Sequence, residues 1–356
     1  MKREIRRIIF LVFVLLFIFI SPLVILYAWG FKFDFANRSL VDTGGIYLKS
    51  LPSGAQIYIN GSPRGKSNAL IQNLRPQIYN INLYKEGYYP WRKNIIVEFG
   101  MVSRANNILL IPQNPEISNV ADISEAYLTF FKEPYDSDQF LAVIKEKTRS
   151  KITKPENIRV DKNSNKIYFL SNNQLYYIEW NKINPRQSVL SSVLVNNVAN
   201  YALYKNGLMY QRSDNGKIYE LDLTSLVSAE FFTRAYPSFV KCKWLFSSDY
   251  KKLLCQKEKT IEVLYLDKST NGCDFKKGDT DKMDFEQKIL DVIWYPKTNE
   301  HIIVATADSI LVTELDNREP RNSIRFISIE NPQIKYDTNR NALYFSGGKL
   351  LYMTEL

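Results

Sequence analysis

Apolar residues along this chain follow two patterns. Residues 8–29 form a stretch of 22 without a charge, interrupted only by Ser21 and Pro22. At about 1.5 Å per residue a helix of that length covers about 33 Å, enough for the roughly 30 Å hydrocarbon core of a bilayer. After residue 30 the helical period disappears. Short runs rich in Val, Ile, Tyr and Phe alternate with turn signals, which predicts an all-β region.

The flanks of the apolar stretch predict its orientation. Lys2, Arg3, Arg6 and Arg7 outweigh Glu4 before it, whereas only Lys32 and Asp34 follow closely after it. The positive-inside rule then places residues 1–7 in the cytoplasm, a single-pass helix at 8–29 in the plasma membrane and everything after it outside. Tyr27 and Trp29 stand where an interfacial aromatic belt is expected. A cleaved signal peptide is the competing reading, because Ala28-Trp29-Gly30 offers small residues at the two positions a signal peptidase reads. The stretch exceeds a signal h-region in length, and bulky Leu26, Tyr27 and Trp29 crowd the site, so retention is favoured. No lipobox-like cysteine follows.

A linker at 30–42 leads to the first globular region, 43–113. Gly45-Ile46-Tyr47-Leu48 reads as one strand, and the next places Ala55, Ile57 and Ile59 on one face before the tight-turn pair Asn60-Gly61. Further strands are expected at 79–84, with Tyr79, Ile81 and Leu83 on one side, at 94–98 and at 107–111. Five or more short strands in about 70 residues indicate a small β-sandwich. The run Ser50-Leu51-Pro52-Ser53-Gly54-Ala55-Gln56-Ile57-Tyr58-Ile59-Asn60-Gly61 resembles the signature of the PEGA domain. The resemblance continues through Arg64-Gly65-Lys66-Ser67, Leu74-Arg75-Pro76 and Lys85-Glu86-Gly87-Tyr88, with Trp91 shortly after. Ser53 stands where the name-giving Glu would be, and Gln77 where a Gly is usual. The resemblance implies an accessory module of surface and envelope proteins. The glycines and Pro52 are turn-forming scaffold positions and not binding residues.

Beyond Pro112 and Pro115 one pattern repeats every 40–50 residues: strand, polar turn, apolar strand, tight turn, strand. Clear copies lie at 158–180, 201–223, 242–266, 292–315 and 334–356, and a weaker sixth surrounds 128–131 and 140–144. Such a repeat indicates a β-propeller of about six blades over 114–356, similar to the WD40-like propeller repeats of the bacterial envelope though without a Trp-Asp signature. A second sandwich or an open β array is the alternative. The last copy ends after its third strand, so the fourth strand of that blade is expected from about 116–123, removing an open edge.

Composition narrows the chemistry. The formal net charge is +10, but Lys and Arg occur singly among Asp and Glu, which argues against nucleic acid as a partner. Three cysteines without a CxxC pair and a single histidine, His301, exclude the usual zinc sites, and His301 reads as a strand-end structural residue. Within the polar segment 268–287, Asp279, Asp281 and Asp284 form a weak calcium candidate without the order of an EF-hand loop, so a solvated insertion between blades is preferred. No motif nominates a carboxylate pair or a cofactor. Tyrosines such as Tyr176, Tyr177, Tyr201 and Tyr204 are expected to pack between blades with their hydroxyls reaching solvent. Cys242 and Cys255 flank a hairpin whose turn is expected at Ser247-Ser248-Asp249-Tyr250. That register sets them directly opposite, where either a disulfide or two buried thiols is possible, and leaves Cys273 free. The expectation is a non-enzymatic, membrane-anchored surface protein that binds protein or envelope glycan. A propeller-fold glycosidase or lyase is the rival.

Overall fold

In this computed structural model the described residues are 3–28, 31–34, 39–122, 155–161, 164–179, 192–269, 273–348 and 350–356. They form two units. The first combines Met1–Asn114 with Thr270–Asp274 and Glu314–Ile324, and the second comprises Pro115–Ser269, Phe275–Thr313 and Arg325–Leu356. Strands dominate, and the one long helix, α1 (Arg3–Ala28), contains an apolar span at Ile5–Tyr27 with a mean hydropathy of 3.3 and none of its window buried. Such a helix is long and apolar enough to cross a bilayer.

After α1 the first unit forms a hairpin of β1 (Phe31–Asp34) and β2 (Ser39–Asp42). The strands that follow are β3 (Gly44–Leu51), β4 (Gln56–Ile59), β5 (Ser62–Lys66), β6 (Ala69–Leu74), β7 (Gln77–Tyr84), β8 (Trp91–Val97) and β9 (Val102–Leu109). They make a three-stranded sheet in the order β6-β3-β9 and a four-stranded one in the order β5-β4-β7-β8. The alternation expected from the sequence meets in one core. Ala55, Ile57 and Ile59 pack with Tyr79, Ile81 and Leu83, and with Ile46, Leu48, Ile95 and Ala105. β5 and β6 were not anticipated: β5 is polar and fully exposed, and β6, Ala-Leu-Ile-Gln-Asn-Leu, lacks a clean apolar-polar alternation. Asn60 and Gly61 both take positive φ, 49° and 79°, as the tight turn requires. β9 runs parallel to β3, pairing Gly45 with Val102 and Leu51 with Leu109.

One core position departs from the apolar pattern. β8 alternates so that Trp91, Lys93, Ile95 and Val97 face inward, and Lys93 is 0 % exposed. Its partners lie in the segment 314–324. The Lys93 ammonium donates to Glu314 Oε1, to Arg318 O (2.7 Å) and to Asp316 O (3.1 Å), while Trp91 Nε1 donates to Glu314 Oε2 (2.8 Å). Asn322 N and Nδ2 also donate to Glu314 Oε1, at 2.8 and 2.7 Å, and Asn94 N donates to Glu319 O at 2.8 Å, so the segment covers the free edge of β8. A buried charge survives only with such a set of partners. Burial pushes the Asp316 carboxyl up, but the Arg318 guanidinium bonded to it and the Lys93 charge outweigh that and hold it below its ordinary range. Cys273 is a half-buried free thiol whose Sγ donates to Asp316 Oδ1 (3.1 Å), and burial, with Asp316 beside it, pushes its pKa up to about 12.

The second unit begins with β10 (Ser118–Asp122). Four antiparallel four-stranded meanders then follow in sequence. The first is β11 (Glu156–Asp161), β12 (Lys166–Ser171), β13 (Gln174–Glu179) and β14 (Ser192–Val195). The second is β15 (Val198–Tyr204), β16 (Gly207–Arg212), β17 (Lys217–Asp222) and β18 (Ser228–Ala235). The third is β19 (Lys243–Phe246), β20 (Lys252–Gln256), β21 (Thr260–Tyr265) and β22 (Thr280–Asp284). The fourth is β23 (Ile289–Trp294), β24 (His301–Thr306), β25 (Ser309–Glu314) and β26 (Ser323–Ser328). A fifth sheet joins β27 (Ile334–Asp337), β28 (Ala342–Gly347) and β29 (Leu350–Glu355) to β10, with Ser118 opposite Met353 and Asp122 opposite Leu350. The strand expected from about 116–123 therefore occupies the free edge of β29. The described residues hold five such sheets, and the sixth copy suggested at 128–131 and 140–144 lies outside them.

Three expectations are corrected in this unit. Residues 268–287 are not wholly an insertion, because Thr280–Asp284 is a strand that completes the third sheet. The turn after β19 is longer than expected: Phe246 pairs with Leu253, so Cys255 stands opposite Trp244 and not Cys242. Tyr201 does not present its hydroxyl to solvent, since it is fully buried and donates to Asn157 O (2.5 Å). Burial raises its pKa well above the ordinary value.

Candidate ligand-binding site

First strands of neighbouring sheets lie side by side, β11 against β15, β15 against β19 and β23 against β27, and β23 also lies against β20, the second strand of the third sheet. Where these strands begin, the second unit holds a cavity of about 600 Å³. Its wall is contributed by Glu156 and Asn157 of β11, Ala199 and Asn200 of β15, residues 241–243, residues 256–258 of the turn after β20, and Ile289 and Leu290 of β23. A neighbouring cavity of about 460 Å³ shares Lys243 and Leu290 and extends to Asn331, Gln333 and Ile334 at the start of β27. Between them the two cavities draw on all five first strands.

A chain of side-chain hydrogen bonds holds this wall. Asn157 Nδ2 donates to Asn200 Oδ1 and to Tyr201 O, both at 3.1 Å, linking the first two sheets. Asn200 Nδ2 donates to Cys242 O (2.8 Å), linking the second to the third. Lys243 Nζ donates to Asp291 Oδ1 (2.6 Å) and Trp294 Nε1 to Leu245 O (3.2 Å), linking the third to the fourth. A buried amide bonded on both sides costs little and fixes geometry. A disulfide between Cys242 and Cys255, with Cα atoms 5.5 Å apart, ties the Lys241-Cys242-Lys243 segment to β20 beside Gln256.

The lining carries Lys241, Lys243 and Lys257 against Glu156 and Glu258. Lys243 is paired with Asp291, and Glu258 with Lys288 (3.6 Å). Lys241 and Lys257 have no ion-pair partner among the described residues, so two ammonium groups and several amides are available to a polar, preferentially anionic ligand.

The residues singled out from sequence fall elsewhere, apart from the cysteines. Pro52, Ser53, Gly54, Ala55 and Gly87 shape turns and strand starts of the first unit, Gly65, expected in a turn, lies instead within β5 at φ 106°, and Tyr88 forms an isolated bridge to Pro112. Asp279, Asp281 and Asp284 do not converge. Asp281 is buried and Asp284 exposed on opposite faces of β22, and Asp279 Oδ2 accepts from Lys276 N at 2.7 Å, capping a turn. No group of three or more metal-ligating side chains occurs among the described residues. His301 begins β24, buried, with Nδ1 2.8 Å from Thr298 Oγ1. Asn157, Asn200, Lys241 and Lys257 were not anticipated.

No curated protein matches the sequence. Among solved structures, similar ones include an oligogalacturonate lyase in complex with manganese, at 13% identity and a TM-score of 0.36, covering 52% of this chain and 56% of that one. PorZ, a bacterial surface component of the type-IX secretion system of Porphyromonas gingivalis, is similar at 13% identity and a TM-score of 0.31, over 55% of this chain and 25% of that one. The extracellular domain of the hybrid two-component system BT4673 from B. thetaiotaomicron is similar at 10% identity and a TM-score of 0.38, over 87% of this chain and 40% of that one. The chain thus spans between a quarter and little more than half of these proteins, and at such scores no functional argument rests on them. Residues 43–108, by contrast, match the PEGA domain family, in the region that the sequence motifs and the two-sheet core mark out.

Proposed function

We propose that this is a single-pass protein of the plasma membrane, with its N-terminus cytoplasmic, whose PEGA domain and β-propeller lie outside the cell. The propeller binds a polar envelope glycan or an acidic protein surface and does not catalyse a reaction. The observation that carries the reading is the pair of adjoining cavities at the starts of the first strands, the larger of them lined by Lys241 and Lys257, neither of which has an ion-pair partner among the described residues. A site in which separate sheets each contribute one short polar segment suits recognition along the axis of a propeller. The pairing of β10 with β29 supports closure of the ring, because it joins the two ends of the unit in one sheet.

The test pairs topology with binding. A reporter fused after Leu356 is expected to be active only outside the cytoplasm. The purified full chain is expected to bind an acidic glycan such as oligogalacturonate or teichoic acid, and Lys241→Ala/Lys257→Ala to lose at least ten-fold in affinity. Equal binding by the variant would remove the larger cavity as the site. Shortened or unsaturated products after prolonged incubation would establish the enzymatic rival.

A further inference from the structure

The end of the sandwich that meets α1 carries most of the exposed apolar side chains of the β strands of residues 43–113. The turn between β8 and β9 presents Phe99, Met101 and Val102, with Phe99 43 % and Met101 60 % exposed. Close by, Ile78 and Ile96 form a cross-strand pair on the outer face of β7 and β8, at 62 % and 57 %. Elsewhere on the sandwich Leu51, Leu70 and Tyr84 are comparably exposed, but singly. An apolar cluster concentrated at one end of a small domain calls for something that covers it.

α1 identifies the cover. Phe31, three residues past the end of the helix at Ala28, packs against Phe99 in a tilted ring contact with centroids 4.9 Å apart. Tyr27, on the last turn of the apolar span, lines a cavity of about 260 Å³ with Thr43, Gly44, Gly100, Met101 and Val102. A helix whose span ends at Tyr27 places the membrane interface at that level, and the turn lies beside it. The turn is also held in place. Gly45 N donates to Met101 O (2.9 Å) and Gly100 N to Thr43 O (3.1 Å), and a Cβ on Gly44 would overlap the carbonyl oxygen of Glu98. Its apolar side chains are therefore presented from a fixed backbone at no further ordering cost.

We infer that the β8–β9 turn, with Phe99, Met101 and Val102 at its tip, inserts into the interfacial layer of the leaflet that α1 exits, so that the sandwich stands on the lipid by two attachments. The partner is a lipid surface, whose interfacial zone accepts aromatic and long apolar side chains. The inference rests on the reading of α1 as a retained membrane span. β8 is seven residues long, so the turn at residues 85–88 sits on the order of 20 Å further out.

The test uses the full chain in vesicles of phosphatidylethanolamine and phosphatidylglycerol, with Cys273→Ser as background. Cys242 and Cys255 are joined to each other, so an introduced cysteine carries the only spin label. Labels go at Met101→Cys, at Phe99→Cys as a second tip position, at Glu86→Cys and at Ile18→Cys in the helix. Collision with oxygen relative to a water-soluble nickel complex is expected to be several-fold higher at 99 and 101 than at 86, and highest at 18. If 18 is in lipid while 99 and 101 match 86, the inference fails and the anchor stands. If 18 is in water, the anchor reading fails and takes the inference with it. If 99 and 101 are shielded from both reagents, a protein covers the tip and the lipid assignment is wrong.

Discussion

Lys93 in the first unit and Asn200 in the second are both buried polar side chains on strands, and they are satisfied by opposite means. Lys93 is a charge in an otherwise apolar face, and its carboxylate partner, Glu314, is 221 residues away. Asn200 is a neutral amide at a strand start, bonded to the equivalent region of the sheet before it and the sheet after it. A charge left without its partner keeps the full desolvation penalty, whereas a neutral amide loses a bond or two. The repeat-built unit links its sheets through modest contacts of this kind and pairs its own buried ammonium, Lys252, with Glu300 only 48 residues on (2.7 Å), whereas the sandwich draws the counter-charge of Lys93 from far along the chain.

That contrast is broken most sharply by removing the distant carboxylate. Glu314→Ala strands Lys93, with Asp316 Oδ1 3.9 Å away as its nearest remaining carboxylate oxygen, and the expected loss is about 3–5 kcal/mol in the first unit. Hydrogen exchange on the full chain checks it, because protection of β8 should fall while β15 and β16 keep theirs. Lys93→Met combined with Glu314→Gln should recover most of the loss, since the fully buried charge is gone, Asp316 keeps Arg318 as its partner, and the Gln carbonyl can still accept from Trp91. Loss confined to the second unit would contradict the account.

A smaller effect is expected where the second unit has a covalent tie. Cys242→Ser/Cys255→Ser removes a cross-link between residues 13 apart, worth about 2–4 kcal/mol. The lower protection should be local to the strands around 242–256, with β8 unaffected. Weaker binding at the neighbouring cavity should accompany it if the disulfide positions Lys241.

The smallest effect is a pH dependence. The folded-state pKa of Asp316 is depressed, so its contribution is present above the unfolded carboxylate pKa of about 4 and is lost as pH falls through the lower folded value. The stability difference between the wild type and Asp316→Asn should therefore be constant near neutrality and shrink below about pH 4. A difference that grows on acidification would mean that the carboxyl is held up, not down.

Much of the architecture was legible in residue patterns. The apolar stretch, the alternation at Ala55, Ile57 and Ile59 and the repeat spacing come from local periodicity, which sequence displays directly, while the strand near residue 118 followed from the last repeat ending one strand short of a closed edge. Lys93 was not legible, because Arg92-Lys93 reads as the polar edge of a strand and its partners become neighbours only through the fold. The cysteine register missed by two residues because the turn at 247–252 is wider than its Ser-Ser-Asp-Tyr core suggests. The cavity wall was illegible for a further reason: amides at strand starts look like ordinary turn residues until adjacent sheets bring Asn157 to Asn200.

The distance between Lys93 and Glu314 also sets an order of events in time. At roughly 5–20 residues per second, the ribosome adds Glu314 on the order of 10–40 s after Lys93. For that interval the sandwich strands have emerged but their buried ammonium has no counter-charge, so Lys93 stays hydrated and β8 keeps an open edge. The last strand of the fifth sheet is made later still. The region nearest the membrane helix is thus the first to appear and among the last to finish, and a truncation before residue 314 would leave both units incomplete.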